Sequence, residues 1–319
     1  MLRLVLQRLG LAVPTLFAVS FLVFFAASLS PADPVDIMLG ERAAVEQKAR
    51  VRQAFGLDRP PLVRYADYVS GIVTRGDFGK SYFNNNAPVR DVVARGFPNT
   101  ATLAGLALIL SLVTGVPLGI FAAVRANRWP DRVAMGGALV GVAVPSFVLA
   151  PVLVLVFAVQ RGDLPPNGFA LGDASRMSWH FFVLPVGVLA ARSTALIARL
   201  TRSAMLDVLA QDYIRTARAK GLPERVVLWR HALRNAFPPI LTAAGTTFGY
   251  LLSGSFVVET FFRIPGIGNQ SIDAITRRDY PMIQGLALLM AFGFVVINLA
   301  TDVLYGVLDP RIRSKGRAK

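Results

Sequence analysis

Two histidines, no cysteine and scattered hydroxyls make a poor set for catalysis. His180 and His231 stand far apart, with no acids beside them at metal-ligand spacing. No structural metal or histidine-based acid–base chemistry is therefore expected, and disulfides and thiol chemistry are absent with the cysteines. Gly79-Lys80-Ser81 looks like the tail of a phosphate-binding loop, in which Lys and Ser would meet phosphate and Mg²⁺. That motif needs another glycine five residues before Gly79, so that backbone N–H groups can wrap the phosphates, and Thr74 stands there instead. The chain is read as holding no cofactor and as no enzyme. What remains is a basic stretch from Arg199 to Arg234, with TARAKGLPERVVLWRHALRN at its heart. Its pattern predicts two short helices, broken at Gly221 and restarted at Pro223, with Glu224 in the new first turn. Glycine is favoured just past a helix end, proline at the next start, and an acid there meets the helix dipole. Such an elbow suits contact with a partner.

The elements that position this elbow follow from composition. Hydrophobic residues make up 54% of the chain and charged ones only 17%, against roughly a quarter charged in an ordinary soluble domain. Charge-free runs occupy 9–32, 96–124, 133–160, 235–258 and 280–301, and a sixth, 177–198, is broken only by Arg192. A hydrocarbon core of about 30 Å needs roughly 20 helical residues, so each run is long enough to cross it. The expectation is an all-α integral membrane protein with six spans, near 9–31, 99–124, 133–159, 179–199, 236–258 and 281–307. An extracytoplasmic insertion would fill 33–98, and a cytoplasmic loop 200–235. The first run could instead be a signal peptide, since Arg3 and Arg8 precede it and Ala26-Ala27-Ser28 is small. Its apolar stretch is longer than such peptides carry, and it is read as a span.

Charge orients these spans. With the amino terminus inside, the inner segments 1–8, 125–132, 199–234 and 309–319 hold eighteen basic and five acidic residues. The outer segments 33–95, 161–176 and 259–279 hold fifteen and thirteen. The positive-inside rule then places both termini in the cytoplasm, and the basic excess needs no nucleic-acid partner. The inner loops suit contact with anionic lipid. In the insertion, the spacing of Val45, Val51 and Phe55, then of Leu62, Tyr65, Val69 and Ile72, predicts two amphipathic helices split by Asp58-Arg59-Pro60-Pro61. A further helix over Val89–Arg95 leads into the second span. Beyond the fifth span, the chain turns at Pro265-Gly266 and forms a short helix over Asn269–Thr276.

Small residues at Gly245, Gly249, Ser253, Gly254 and Ser255 suit close helix packing in a membrane. Ser146, Ser253 and Ser255 are equally candidates to line a polar translocation path. Arg192 lies in the cytoplasmic half of its span, where it would snorkel or pair with Asp302. No span carries an acid near its centre, which disfavours a proton- or sodium-coupled transporter.

The stretch YIRTARAKGLPERVVLWRHALRNAF resembles the cytoplasmic coupling motif of permease subunits in bacterial ATP-binding cassette (ABC) importers. That motif opens with Glu-Ala-Ala, places a glycine six residues after the Glu, and closes with an apolar-Pro pair. Arg215-Thr216-Ala217 stand at the opening here, Gly221 at the glycine and Leu233-Arg234 at the close. Arg215 for Glu and Arg234 for Pro are departures that resemble the dipeptide/oligopeptide/nickel branch. So do GDFGKS with PVRDVVARGFPNTATL, and SGSFVVETFFRIPGIGNQSIDAITRRDYPMIQG. Together these cover nearly the whole chain. The resemblance implies the type I importer permease fold and the branch's first permease subunit, in a bacterial or archaeal cytoplasmic membrane. It also implies a second homologous permease, two cytoplasmic ATPase subunits that carry ATP and Mg²⁺, and an extracytoplasmic solute-binding protein.

On this reading Tyr213, Arg215, Thr216, Ala217, Arg218, Gly221, Leu222, Pro223 and Arg225 form the ATPase-coupling surface. Tyr213, Ala217, Val226 and Leu233 would pack the elbow against the ATPase or the spans, and Arg215, Arg218 and Arg225 would face its acids. Phe262, Pro265, Gly266, Asp273, Arg278 and Asp279 are candidates for an outer gate or for contact with the binding protein. The solute class implied is peptides or related small solutes. A secondary transporter, a membrane enzyme and a receptor or scaffold are the rival classes: the first would want an acid at mid-membrane, the second a grouped nucleophile, metal or acid pair, and the third would leave the match of the elbow without a role.

Overall fold

In a bilayer every backbone N–H and C=O must find its partner within the chain, which leaves helices as the way to extend an apolar run. The computed structural model describes residues 2–29, 33–40, 42–166 and 179–308. Most of the outer segment 161–176 and the basic tail 309–319 lie outside them. The described chain is almost wholly helical. In order come α1 (Leu2–Ser28), α2 (Pro34–Leu39), α3 (Val45–Ala54), α4 (Pro61–Arg75), α5 (Val89–Val124), α6 (Trp129–Ala143) and α7 (Ser146–Leu153), which runs on as a wider π-type coil over Val154–Gln160. Then follow α8 (His180–Leu209), α9 (Asp212–Ala219), α10 (Glu224–Val226), a second π-type stretch over Val227–Ala232, α11 (Leu233–Gly254), α12 (Phe256–Phe261), α13 (Ile267–Arg277) and α14 (Tyr280–Leu308). Among the described residues, β pairing is confined to an isolated antiparallel bridge between Lys80 and Pro88.

Four helices are long and apolar enough to cross a membrane: Val5–Ser28, Val89–Val124, His180–Leu209 and Tyr280–Leu304. The run expected as one span over 133–159 is instead two helices, Trp129–Ala143 and Ser146–Gln160, meeting at 103°. Pro145 causes the break. It lacks an N–H and forces its predecessor out of the helical region, and Val144 sits at φ −80°, ψ 117°. The run expected at 236–258 falls on α11, where Pro238, Pro239, Thr242, Thr246 and Thr247 dilute the apolar character below that of the four. Large apolar side chains stand exposed along the long helices, Leu11, Val13, Leu22, Val113, Leu139 and Phe292 among them. In water such surface would aggregate; on a membrane protein it is the surface for lipid or a partner subunit.

The chain divides into two compact units. The first comprises Met1–Val5, Ala101–Ile264 and Val296–Lys319. Here α8 packs against α6, α7 and α11, and glycines set the approach of the backbones. A Cβ on Gly119 would lie 2.5 Å from the Ala198 carbonyl oxygen, and one on Gly115 would lie 2.8 Å from that of Thr194. Gly141 of α6 meets the Ala191 carbonyl in the same way, at 3.0 Å, and Gly245 of α11 meets the Thr301 side chain. This is packing by small residues, which replaces the hydrophobic drive inside a membrane. A hydroxyl pair, Thr114 and Thr194 at 3.1 Å, ties α5 to α8. At the end of α8, Arg202 donates two hydrogen bonds, of 2.7 and 2.6 Å, to the buried Asp131 carboxylate of α6.

The second unit comprises Leu6–Thr100 and Pro265–Val295. Tyr65 of α4 is buried among Phe17, Phe21, Phe24 and Phe25 of α1, with its hydroxyl 2.9 Å from Ser20 Oγ. Helix α13 is longer than the predicted Asn269–Thr276 and begins where the Ile267 N–H donates to Thr100 Oγ1 at 2.8 Å.

Candidate functional site

The elbow is built locally. Helix α9 ends at Ala219 with Lys220 as its cap, and Gly221 follows with φ +77°, the left-handed position in which glycine carries no Cβ penalty. Gly221 N–H donates to the Arg218 carbonyl at 2.9 Å and Leu222 N–H to that of Ala217 at 3.4 Å, the paired bonds that close a helix through a C′ glycine. Pro223 does not occupy the first helical position. It caps the next helix from outside with extended backbone (φ −62°, ψ 140°), and Glu224 is the first residue within. Proline suits this place because its ring fixes φ and it has no N–H to satisfy.

One face of the elbow is anchored in the first unit. Ile214, Ala217, Val227 and Ala232 are buried together with Met205, Ile240 and Ile120. Ala217 thus belongs to the anchor and not to an outward surface. Its partner Ile214 and the buried Val227 were missed, although Ile214 and Ala217 stand three apart, the spacing of one helix face. The other face looks out. Tyr213 is 44% exposed, Leu222 37% and Trp229 51%, and Arg215, Thr216, Gly221, Pro223 and Arg225 are exposed as well. Val226 and Leu233 are half-buried, and Leu233 packs against the spans.

Charge on this outer face is partly paired within the chain. Arg218 grips Glu224 through two hydrogen bonds, of 3.2 and 2.7 Å, across the break. That grip holds the Glu224 carboxyl below its ordinary range and raises the Arg218 guanidinium. Both side chains are nearly half exposed, so the pair contributes about 0–1 kcal/mol. It is a brace between α9 and α10, where Arg218 was expected to look outward. Arg215 pairs with Asp212 one turn back, at 2.8 Å, with both groups well exposed. Among the described residues no ion pair is formed by Lys220 or Arg225.

A second feature lies in the same unit. A cavity of about 660 Å³ is framed by the Val144-Pro145 bend, α8 and α11. Ser146 and Ser253 line it, with Arg192, Ser193, Thr247 and Tyr250. Ser255 does not: it is buried, and its hydroxyl donates to Glu259 Oε1 at 2.7 Å. The break between α11 and α12 turns Ser255 away from Ser253. Arg192 is exposed and forms no ion pair with Asp302 among the described residues.

The outer candidates divide between surface and interior. Phe262 is buried in the apolar cluster of the first unit. In the second unit the Pro265 carbonyl accepts from Asn99 Nδ2 at 2.9 Å, and Gly266 caps α13 in extended conformation. Asp279 is buried, and its carboxylate accepts from Ser81 Oγ at 2.5 Å and from Tyr82 N–H at 3.1 Å. It fastens the loop that carries Gly79-Lys80-Ser81. Arg278 ends α13 at φ +56°. Asp273 is exposed beside a small surface depression. Phe262 and Asp279 are therefore structural residues, and Asp273 and Arg278 are the outward ones.

With this geometry in place, comparisons with known proteins converge. Residues 115–314 match the family described as binding-protein-dependent transport system inner membrane component. Residues 1–104 match its companion, "Binding-prot-dependent transport system membrane comp, N-term". The chain is similar to the glutathione transport system permease protein GsiC of Escherichia coli strain K12, at 43% identity over 99% of this chain and 100% of that protein. The GsiC protein of Salmonella choleraesuis strain SC-B67 matches to the same extent. Among solved structures, an inward-facing MetNI methionine ABC transporter chain superposes with a TM-score of 0.57 at 18% identity. It covers 69% of this chain and 97% of that one. That likeness concerns the fold.

Proposed function

The chain belongs to the binding-protein-dependent transport system inner membrane component family, the permease subunits of ABC importers, and on that premise we propose that its elbow converts ATP hydrolysis by partner subunits into movement of a solute path. It is a multi-pass inner-membrane transport subunit and not an enzyme. The observation that carries the coupling role is the elbow itself. A short helix, closed by a left-handed glycine and braced by Arg218–Glu224, presents Tyr213, Leu222, Trp229 and unpaired cations outward, while Ile214 and Val227 root it among the long helices. A rigid, rooted, amphipathic projection transmits displacement, whereas a flexible loop would absorb it.

In this account both termini and the elbow lie in the cytoplasm, as the positive-inside rule places them, and the bent pair and α11 complete six spans. The chain pairs with a second permease to enclose a path, two ATPases with their ATP and Mg²⁺ dock on the two elbows, and an extracytoplasmic binding protein delivers the solute. Closure of the ATPases shifts the permease pair between inward- and outward-open arrangements, the two discrete states that coupling needs. The solute is a small peptide or a related compound; the relatives named for glutathione transport support that class. Affinity purification of this chain from native membranes tests the assembly. A second permease and two copies of ATPase subunit should accompany it, and a chain that purifies alone in mild detergent while still taking up solute would refute the proposal.

A further inference from the structure

The bend at Val144-Pro145 leaves a cavity in the first unit whose polar lining is uneven. Arg192 is the only lysine, arginine or acid lining it, and it has no ion-pair partner among the described residues. Thr247 of α11 also borders the cavity but is only 3% exposed. An ionised group within a span is by default a candidate for a ligand path. Ser146 and Ser253 add hydroxyls along the same wall. Among the described residues no acid lines the cavity, so its described lining carries a positive charge.

We propose that this cavity is an anion-recognition point on the translocation path, where Arg192 receives the carboxylate of the moving solute. This rests on the permease reading above and narrows it to solutes that carry a carboxylate. The guanidinium offers a planar fork of donors matched to a carboxylate, and the Ser146 and Ser253 hydroxyls lie along the same cavity. The contact orients the solute and stays weak enough to release it, because Arg192 is itself exposed.

The absence of cysteine makes the test clean. Ser253→Cys places the sole thiol of this chain on the cavity wall. In the assembled importer, reconstituted in phosphatidylcholine vesicles, this thiol is exposed to an anionic and to a cationic methanethiosulfonate of similar size, and labelling of this chain is followed by mass. A positive charge within several ångströms should favour the anionic reagent by about tenfold. Arg192→Gln should abolish the preference, Arg192→Lys should retain most of it, and millimolar succinate should slow anionic labelling only where the charge is present. A preference unchanged by Arg192→Gln would overturn the proposal. So would loss of the preference on adding phosphatidylglycerol with no protection by succinate, which would mean that Arg192 meets a lipid phosphate. Solute-stimulated ATP hydrolysis is read in the same vesicles. If hydrolysis persists while charge preference is absent, only the anion assignment falls; if the unmodified assembly shows no stimulated hydrolysis, the permease reading falls and takes this inference with it.

Discussion

Substitution of Gly221 separates a backbone requirement from a surface requirement. At φ +77° the residue sits where L side chains are strained, yet a Cβ built there meets nothing within 4 Å. Among the described residues nothing opposes an added Cβ, so the cost of placing one there is conformational. It amounts to about 1–2 kcal/mol for an ordinary L residue, with β-branched side chains at the upper end. Asparagine is the exception, since it visits this region readily. One to two kcal/mol corresponds to roughly a five- to thirtyfold change in the population of the closed elbow. The assay is solute-stimulated ATP hydrolysis and uptake by the complete importer in liposomes, with membrane insertion monitored separately. Gly221→Val should lower both by about five- to thirtyfold, Gly221→Ala by less, and Gly221→Asn should stay near the starting activity, all with unchanged insertion. A fully active Gly221→Val importer would remove the elbow's geometry from the mechanism. If Gly221→Asn failed as badly as Gly221→Val, space against the docked partner, and not the left-handed backbone, would be what the glycine provides.

Other consequences follow from the packing and the charges. Gly119→Ala sets a methyl 2.5 Å from the Ala198 carbonyl; since backbone cannot step aside as a flexible side chain can, α5 and α8 should separate, and yield and thermal midpoint of the purified assembly should drop. Asp131→Asn leaves Arg202 without its buried counter-charge and should destabilise by about 3 kcal/mol; Asp131→Asn combined with Arg202→Met should regain much of that loss in thermal unfolding. Glu224 is held below the ordinary glutamate range by Arg218, so its pairing is present above the unfolded value, about 4.3, and is lost as pH falls through the lowered one. Hydrogen exchange of the elbow amides, corrected for the intrinsic pH dependence of exchange, should therefore show constant protection across neutral pH that is lost only in acid, whereas Glu224→Gln should raise exchange up to about fivefold at pH 7.

Much of this architecture was legible because its causes are local. Charge-free runs mark the long helices, and the Gly221-Leu222-Pro223 break is encoded by two residues whose backbone preferences act alone. Proline within a span is less informative: Pro14 and Pro185 remain inside helices, while Pro145 opens a 103° bend, and only the surrounding packing distinguishes them. Ser253 and Ser255 are two residues apart and chemically alike, yet a helix break sends one to a cavity and buries the other. The role of Asp279 depends on Ser81, 198 positions away, a distance that no pattern spans. Gly115 and Gly119 were overlooked although they carry the same four-residue spacing that was read at Gly245 and Gly249. The acid that pairs with Arg218 lies across the break and not on its own helix, so helical spacing does not reveal it.

The central claim is that this polypeptide moves solute only when driven through its elbow by the ATPases of other subunits. Vesicles containing the chain and its second permease, with or without the ATPase subunits, address it directly when accumulation of labelled solute is followed after binding protein is added outside and ATP inside. Accumulation confined to vesicles that hold the ATPases and ATP, and lost with Gly221→Val, is the predicted result. Concentrative uptake by the permeases without those subunits would contradict the account.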